Sequence, residues 1–230
     1  MFELDIARRH VVSNRRGTAF TLISITIAVG IIIMSLGLTE GVRIQIVQDT
    51  IDKSPHLIIK PKDGELWSDL GDCFQGQGKL QDALDAYNES LKFKPNEAAT
   101  FCKIGEVAKQ QGQVKVAIEQ QRKALAIKSD FVPSLNNLAW ILATSKDSQI
   151  RNPSEAVPLA QKACEATSSK DFNCLDTLAA AYAGAGQFDK AVETAQKAVA
   201  LARAAKDNES VQDISKKLQL YQIKQPYLEP

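Results

Sequence analysis

The chain has 230 residues, 44% of them hydrophobic and 24% charged, with a formal net charge of +1 at pH 7. That length suits one domain with an addition, or two small units, and the near-neutral charge argues against a nucleic-acid partner, which calls for a basic face. Four cysteines without CxxC spacing and only two histidines, His10 and His56, leave a zinc site few ligands and imply no cofactor.

The first sixteen residues carry Arg8, Arg9, Arg15 and Arg16. Phe2 and Ile6 fall near one helical face, with Leu4, Val11 and Val12 close by. That pattern suits a short amphipathic helix on the inner leaflet of a membrane, and it suits a plain basic leader equally well. From Gly17 to Thr39 no residue is charged, and the centre of this 23-residue run reads ISITIAVGIIIM. At about 1.5 Å per residue, such a helix spans a hydrocarbon core of about 30 Å, which predicts one transmembrane helix over 17–39. Arginines before the run outnumber Arg43 after it, so the amino terminus is expected in the cytoplasm and the remainder outside. A cleaved signal peptide competes with this reading. Against it, the run exceeds the usual ~7–15 apolar residues and no A-x-A site follows.

The order MFELDIARRHVVSNRRGTAFTLISITIAVG, MSLGLTEGVR, SPHLIIKPKDG across residues 1–63 resembles the opening of an FtsX-like permease of the lipoprotein-releasing type. The resemblance implies a first membrane helix and, over 40–63, the start of an extracytoplasmic domain. Under that reading the chain is a component or remnant of an ABC-type permease, with an ABC-type ATPase as partner. The remainder departs from the pattern, because no further membrane run follows. His56-Leu57-Ile58-Ile59 would be a strand without partners, and an isolated strand has little stability. What carries over is the anchor and its orientation, not transport.

Beyond residue 63 the chain repeats. Gly71, Gly105, Ala139 and Ala179 recur at intervals of 34, 34 and 40, and Ala83, Ala117, Ala156 and Ala191 at 34, 39 and 35. The surplus in the third repeat therefore falls in TSKDSQIRN, residues 144–152, as an extended loop. Two antiparallel helices joined by a short turn approach closely only where one offers a small side chain. These two series supply that on the first and second helix of each pair. Large residues fill the layers between: Trp67, Leu70 and Phe74, then Phe101 and Ile104, then Leu135, Leu138 and Leu142, then Leu175, Leu178 and Tyr182. Gly78, Gly112 and Gly186 end first helices in the left-handed conformation that suits glycine. Pro95 closes the first repeat, and Pro153 opens a helix at its first turn.

Trp67, Leu70, Gly71, Phe74, Ala83, Tyr87 and Pro95 stand at offsets that resemble the tetratricopeptide repeat family, and the later repeats match more loosely. The fold class expected is all-α, a superhelical solenoid of four helix-turn-helix repeats (64–97, 98–131, 132–171 and 172–205) after the transmembrane helix. Residues 206–230 read as a capping helix and tail, with Val211, Ile214, Leu218 and Tyr221 at helical spacing. A stack needs such a cap to shield its last apolar face.

Chemistry is sparse. Neither histidine has a serine–acid or cysteine partner at a recognisable motif, and GQGKL at 76–80 lacks the spacing and hydroxyl of a phosphate loop. The chain is expected not to be an enzyme but a scaffold for a protein or peptide. The family resemblance implies a concave groove lined by first helices. Its positions are Ser68, Asp72 and Gln75, then Cys102, Glu106 and Lys109, then Asn136, Trp140 and Ala143, then Asp176, Ala180 and Ala183. Trp140 has two readings: an anchor for a ligand, or a filler beside the inserted loop. Some members of the family grip a terminal carboxylate, but Asp72 at the matching position would repel one. Cys73, Cys102, Cys164 and Cys174 read as small packed thiols, with a Cys164–Cys174 bridge open to an extracytoplasmic chain.

Overall fold

The computed structural model describes residues 63–229. The basic start over 1–16, the uncharged run over 17–39 and the permease-like stretch up to 62 lie outside the described residues, as do His10 and His56. Among the described residues no helix is long and apolar enough to cross a membrane.

Nine α-helices make up the described chain, with no strand among them: α1 Gly64–Gly76, α2 Leu80–Phe93, α3 Ala98–Gln110, α4 Val114–Ile127, α5 Val132–Thr144, α6 Pro153–Ala166, α7 Phe172–Gly184, α8 Phe188–Ala204 and α9 Asn208–Gln222. Consecutive helices pair as hairpins, each second helix packs on the first helix of the next pair, the first helices α3 and α5 also meet the next first helix, and α9 closes the stack against α8 and α7. This is an all-α helical solenoid.

Local sequence explains the boundaries. Asp63, Asn152, Asp171 and Asp207 cap α1, α6, α7 and α9 by accepting hydrogen bonds from backbone N–H groups two or three residues on. Pro153 is the first residue of α6, where its missing N–H costs nothing. Gly78, Gly112 and Gly186 have φ of +73°, +76° and +73°, so the expected left-handed stops are present.

The close approaches fall where the repeat spacing put them. A Cβ on Gly71 would lie 2.3 Å from the Tyr87 ring, and one on Gly105 would lie 2.5 Å from Gln121 Nε2. Neither gap has room for a methyl group. Ala83, Ala117, Ala139, Ala156, Ala179 and Ala191 are all fully buried. One apolar core runs from α5 to α9 and includes Leu135, Leu138, Leu142, Leu175, Leu178, Ile214 and Tyr221. Smaller clusters centred on Tyr87 and Ile104, and on Cys102 and Ala124, serve α1–α4. Trp67, Leu70, Phe74, Phe101 and Tyr182 are only half-buried, so the expected layers are filled less completely there.

The insertion over 145–152 folds back on itself rather than looping out. Asp147 O accepts from Ile150 N and Arg151 N, and Asn152 N donates to Leu142 O at 2.8 Å. The four cysteines are unbridged. Burial pushes the Cys164 thiol up to about 11 and the Cys174 thiol up to about 12, which leaves both protonated and unreactive at neutral pH.

Candidate functional site: the face of the first helices

The first helices present one side chain after another along a common face, and polar rungs tie neighbouring helices together. Lys103 on α3 donates to Ser68 Oγ (3.0 Å) and Asp72 Oδ2 (2.7 Å) on α1. Asn137 on α5 donates to Glu106 Oε1 (2.8 Å) on α3, with Cys102 Sγ at 3.6 Å. Lys103 and Asn137 are 34 residues apart, the repeat interval. Lys217 on α9 does the same at the end of the stack, pairing with Asp176 on α7 and with Asp213 (2.7 Å) on its own helix.

This last rung is buried. Burial holds the Asp176 carboxyl above the usual carboxylate range, and Lys217 pulls it back only in part. Burial also opposes the Lys217 charge, but the two aspartates outweigh it and raise its pKa. The ammonium lies 4.6 Å from the centre of the Trp140 ring and 5.5 Å from that of Tyr227, so two aromatic faces complete its surroundings.

Tyr227 belongs to the segment after α9. That helix ends in a left-handed turn at Lys224 (φ +56°), with Lys224 N bonded to Tyr221 O and Gln225 N to Leu220 O. The segment that follows, in neither helix nor strand, turns back along α5. The Tyr227 ring meets Trp140 at 5.9 Å between centroids, Glu229 N donates to Thr144 O at 2.8 Å, and the Glu229 carboxylate pairs with Lys109 Nζ at 2.9 Å. What read as a trailing end is seated on the face.

The expected groove residues divide accordingly. Ser68, Cys102, Ala143 and Asp176 are buried, and so are Ala180 and Ala183, which leaves them little surface for a ligand. Asp72 and Gln75 accept from the Tyr87 hydroxyl at 2.8 and 2.9 Å, and Glu106 accepts from Asn137. Lys109 and Trp140 meet the chain's own tail. Asn136 is half-buried, and its Oδ1 makes no hydrogen bond to any described residue. Trp140 is neither free in an open groove nor a filler for the inserted loop alone, since its ring packs on Lys217 and Tyr227. Lys103, Asn137, Lys217, Tyr227 and Glu229 were not foreseen. The interval linking Lys103 to Asn137 was a usable signal. Tyr227 and Glu229 lie past the last repeat, where no period reaches.

Residues 64–97, 98–131 and 173–205 each match a family model described as a tetratricopeptide repeat. The chain therefore carries tetratricopeptide repeats, as their spacing suggested. No curated protein matches it in sequence. Among solved structures it is similar to MamA (residues 41 to the end) from Desulfovibrio magneticus RS-1, at 18% identity and a TM-score of 0.53, over 73% of this chain and 99% of that one. It is also similar to TTC0263, a thermophilic tetratricopeptide protein of Thermus thermophilus, at 16% identity and a TM-score of 0.55, over 66% and 80% of the two chains. PilW, described as a widely conserved type IV pilus biogenesis factor, is 18% identical with a TM-score of 0.54, over 70% and 79%. Identities this low speak to the fold alone. Stacked tetratricopeptide repeats form extended surfaces of the kind that bind other proteins.

Proposed function

We propose that the chain is a membrane-tethered scaffold whose first-helix face binds a segment of a partner protein. Trp140 is the anchor, and Lys109 and Asn136 provide polar contacts beside it. The observation that carries this reading is the seating of residues 227–229, a non-helical segment held by ring, carboxylate and backbone contacts together. A face that engages a non-helical segment of its own chain has the groups needed to engage one from elsewhere. The tether rests on the uncharged 23-residue run over 17–39 and its arginine flank, which would set the repeats on the extracytoplasmic side.

Affinity capture tests the proposal, with the full chain in mild detergent as bait and Trp140→Ala and Lys109→Ala variants alongside. A partner held by the parent and lost from both variants, with helical content unchanged, supports it. Truncating a central anchor should weaken binding by about 1–3 kcal/mol. A partner held equally by all three baits would move the site off this face.

A further inference from the structure

We infer that the face between Lys109 and Lys217 recognises an extended peptide carrying an aromatic residue followed two positions later by a carboxylate, and that residues 225–229 occupy this site as a built-in competitor. The inference rests on the scaffold reading above and names the chemistry of its partner.

Three kinds of contact define the site. The first is a ring platform: Tyr227 lies on Trp140, and the Lys217 ammonium reaches both rings, 4.6 Å from one centroid and 5.5 Å from the other. An electron-rich aromatic side chain suits this position, because its face is attracted to the cation. The second is a cation for an acid: Lys109 Nζ stands 2.9 Å from Glu229 Oε1 and 6.0 Å from the Trp140 ring centre. The third is Thr144 O, at the last residue of α5, which accepts from Glu229 N at 2.8 Å. A helix C-terminus has carbonyls with no partner inside the helix, so any peptide N–H at this position meets a ready acceptor.

None of these contacts depends on the segment being joined to α9. The aromatic ring, the carboxylate and the N–H sit on Tyr227 and Glu229, and an incoming chain with the same pattern presents the same groups. The tail is also held lightly. Residues 227–229 are half-buried, and the Lys109–Glu229 pair keeps about a third of each side chain exposed (34% and 35%). The floor of the site is different, since Lys217 is anchored by Asp176 and Asp213 whatever lies above it. The left-handed turn at Lys224 and the fixed φ of Pro226 aim the tail back along α5. A short tether keeps its effective concentration in about the millimolar range. A tail with an intrinsic Kd of about 100 μM or tighter therefore weakens a competing free peptide by at least about tenfold, the ratio of that concentration to the Kd.

The test uses the full chain in detergent and a capped fluorescent peptide of residues 223–230, IKQPYLEP, followed by anisotropy. The parent should bind this probe weakly. A chain ending at residue 223 should bind it at least tenfold tighter, and so should the intact-length double variant Tyr227→Ala, Glu229→Gln, which covers the case in which the shortened chain fails to fold. Adding Trp140→Ala to the double variant should remove most of the gain, and adding Lys109→Ala should remove a few-fold part of it. A probe with Ala in place of the tyrosine should bind at least tenfold more weakly, and one with Gln in place of the glutamate about two- to fivefold more weakly, less so at high salt. Equal binding to the parent and the released chains overturns the competitor role. No binding to a folded released chain, or binding indifferent to Trp140 and to the probe's tyrosine, overturns the site. A captured partner that depends on Trp140 but is not displaced by excess probe would leave the scaffold reading standing and this inference refuted.

Discussion

Lys103, near the start of the stack, and Lys217, at its end, each reach from one helix to an aspartate on the first helix before it. The geometry is alike and the surroundings are not. Lys103 and Asp72 keep 29% and 45% of their side chains exposed, whereas Lys217 and Asp176 keep 5% and 11%. Water screens the first pair, so its attraction and its desolvation cost are both small. The second pair has lost its water, and each ion depends on the other. The hairpins differ in the same direction. Around α1–α4 a glycine faces a large polar-tipped side chain, Tyr87 or Gln121, and the cores are small. From α5 onward alanine stands at the corresponding positions of the first helices, Ala139 and Ala179, inside one continuous core. The early pairs are thus fixed one at a time, while the late pairs, the cap and the tail depend on one another.

This contrast is open to test, and the largest effect is expected at the buried rung. Lys217→Ala leaves Asp176 without its cation inside the protein and should cost about 3–5 kcal/mol in denaturant unfolding. The double change Lys217→Met, Asp176→Leu should recover most of that loss, because no buried charge remains; a loss equal to that of the single variant would show that packing matters here rather than charge. The pH dependence has a definite sign. The Lys217 pKa is raised above its ordinary 10.5, so its contribution is complete below that value and disappears as pH rises through the folded-state value. The stability difference between the parent and the double variant, in which no buried carboxyl titrates, should be flat from about pH 7 to 10 and shift against the parent above that range.

Next comes the glycine contact. Gly71→Ala drives a methyl group against the Tyr87 ring, which cannot retreat without giving up its hydrogen bonds to Asp72 and Gln75. Overpacking of this kind should cost about 1–3 kcal/mol, with hydrogen exchange quickening over α1 and α2 while α7–α9 stay protected. Equal loss of protection in both regions would contradict the division drawn above. The smallest effect belongs to Lys103→Ala, expected below about 1 kcal/mol and reduced further by salt. A loss matching that of Lys217→Ala would mean that exposure is the wrong measure of what separates the two rungs.

Much of this architecture was present in the residue order. Small residues spaced for paired helices, and glycines spaced for left-handed stops, marked the hairpins, because helix contact demands a small side chain wherever two backbones meet. The insertion before Pro153 followed from two lengthened intervals, 40 and 39, that overlap between the two helices of the third repeat, and the four apolar residues of α9 announced a cap. Other features had no such mark. Which groove positions stay accessible depends on how far each helix turns against its neighbours, so Asp176 read as a groove residue and proved to be a buried ion-pair partner. Cys102 and Ala143 are buried for the same reason.

Residue order alone determined the helices, their pairing and the repeat interval, since these are set within about forty residues by side-chain size and turn chemistry. Only the tertiary structure decided that Lys217 meets Asp176 and Trp140, and that Tyr227 and Glu229 return to α5 and α3. Those groups lie between 41 and 120 residues apart in the chain. No local preference encodes such a meeting. It arises when stacked helices bring their faces into line and exclude the water between them.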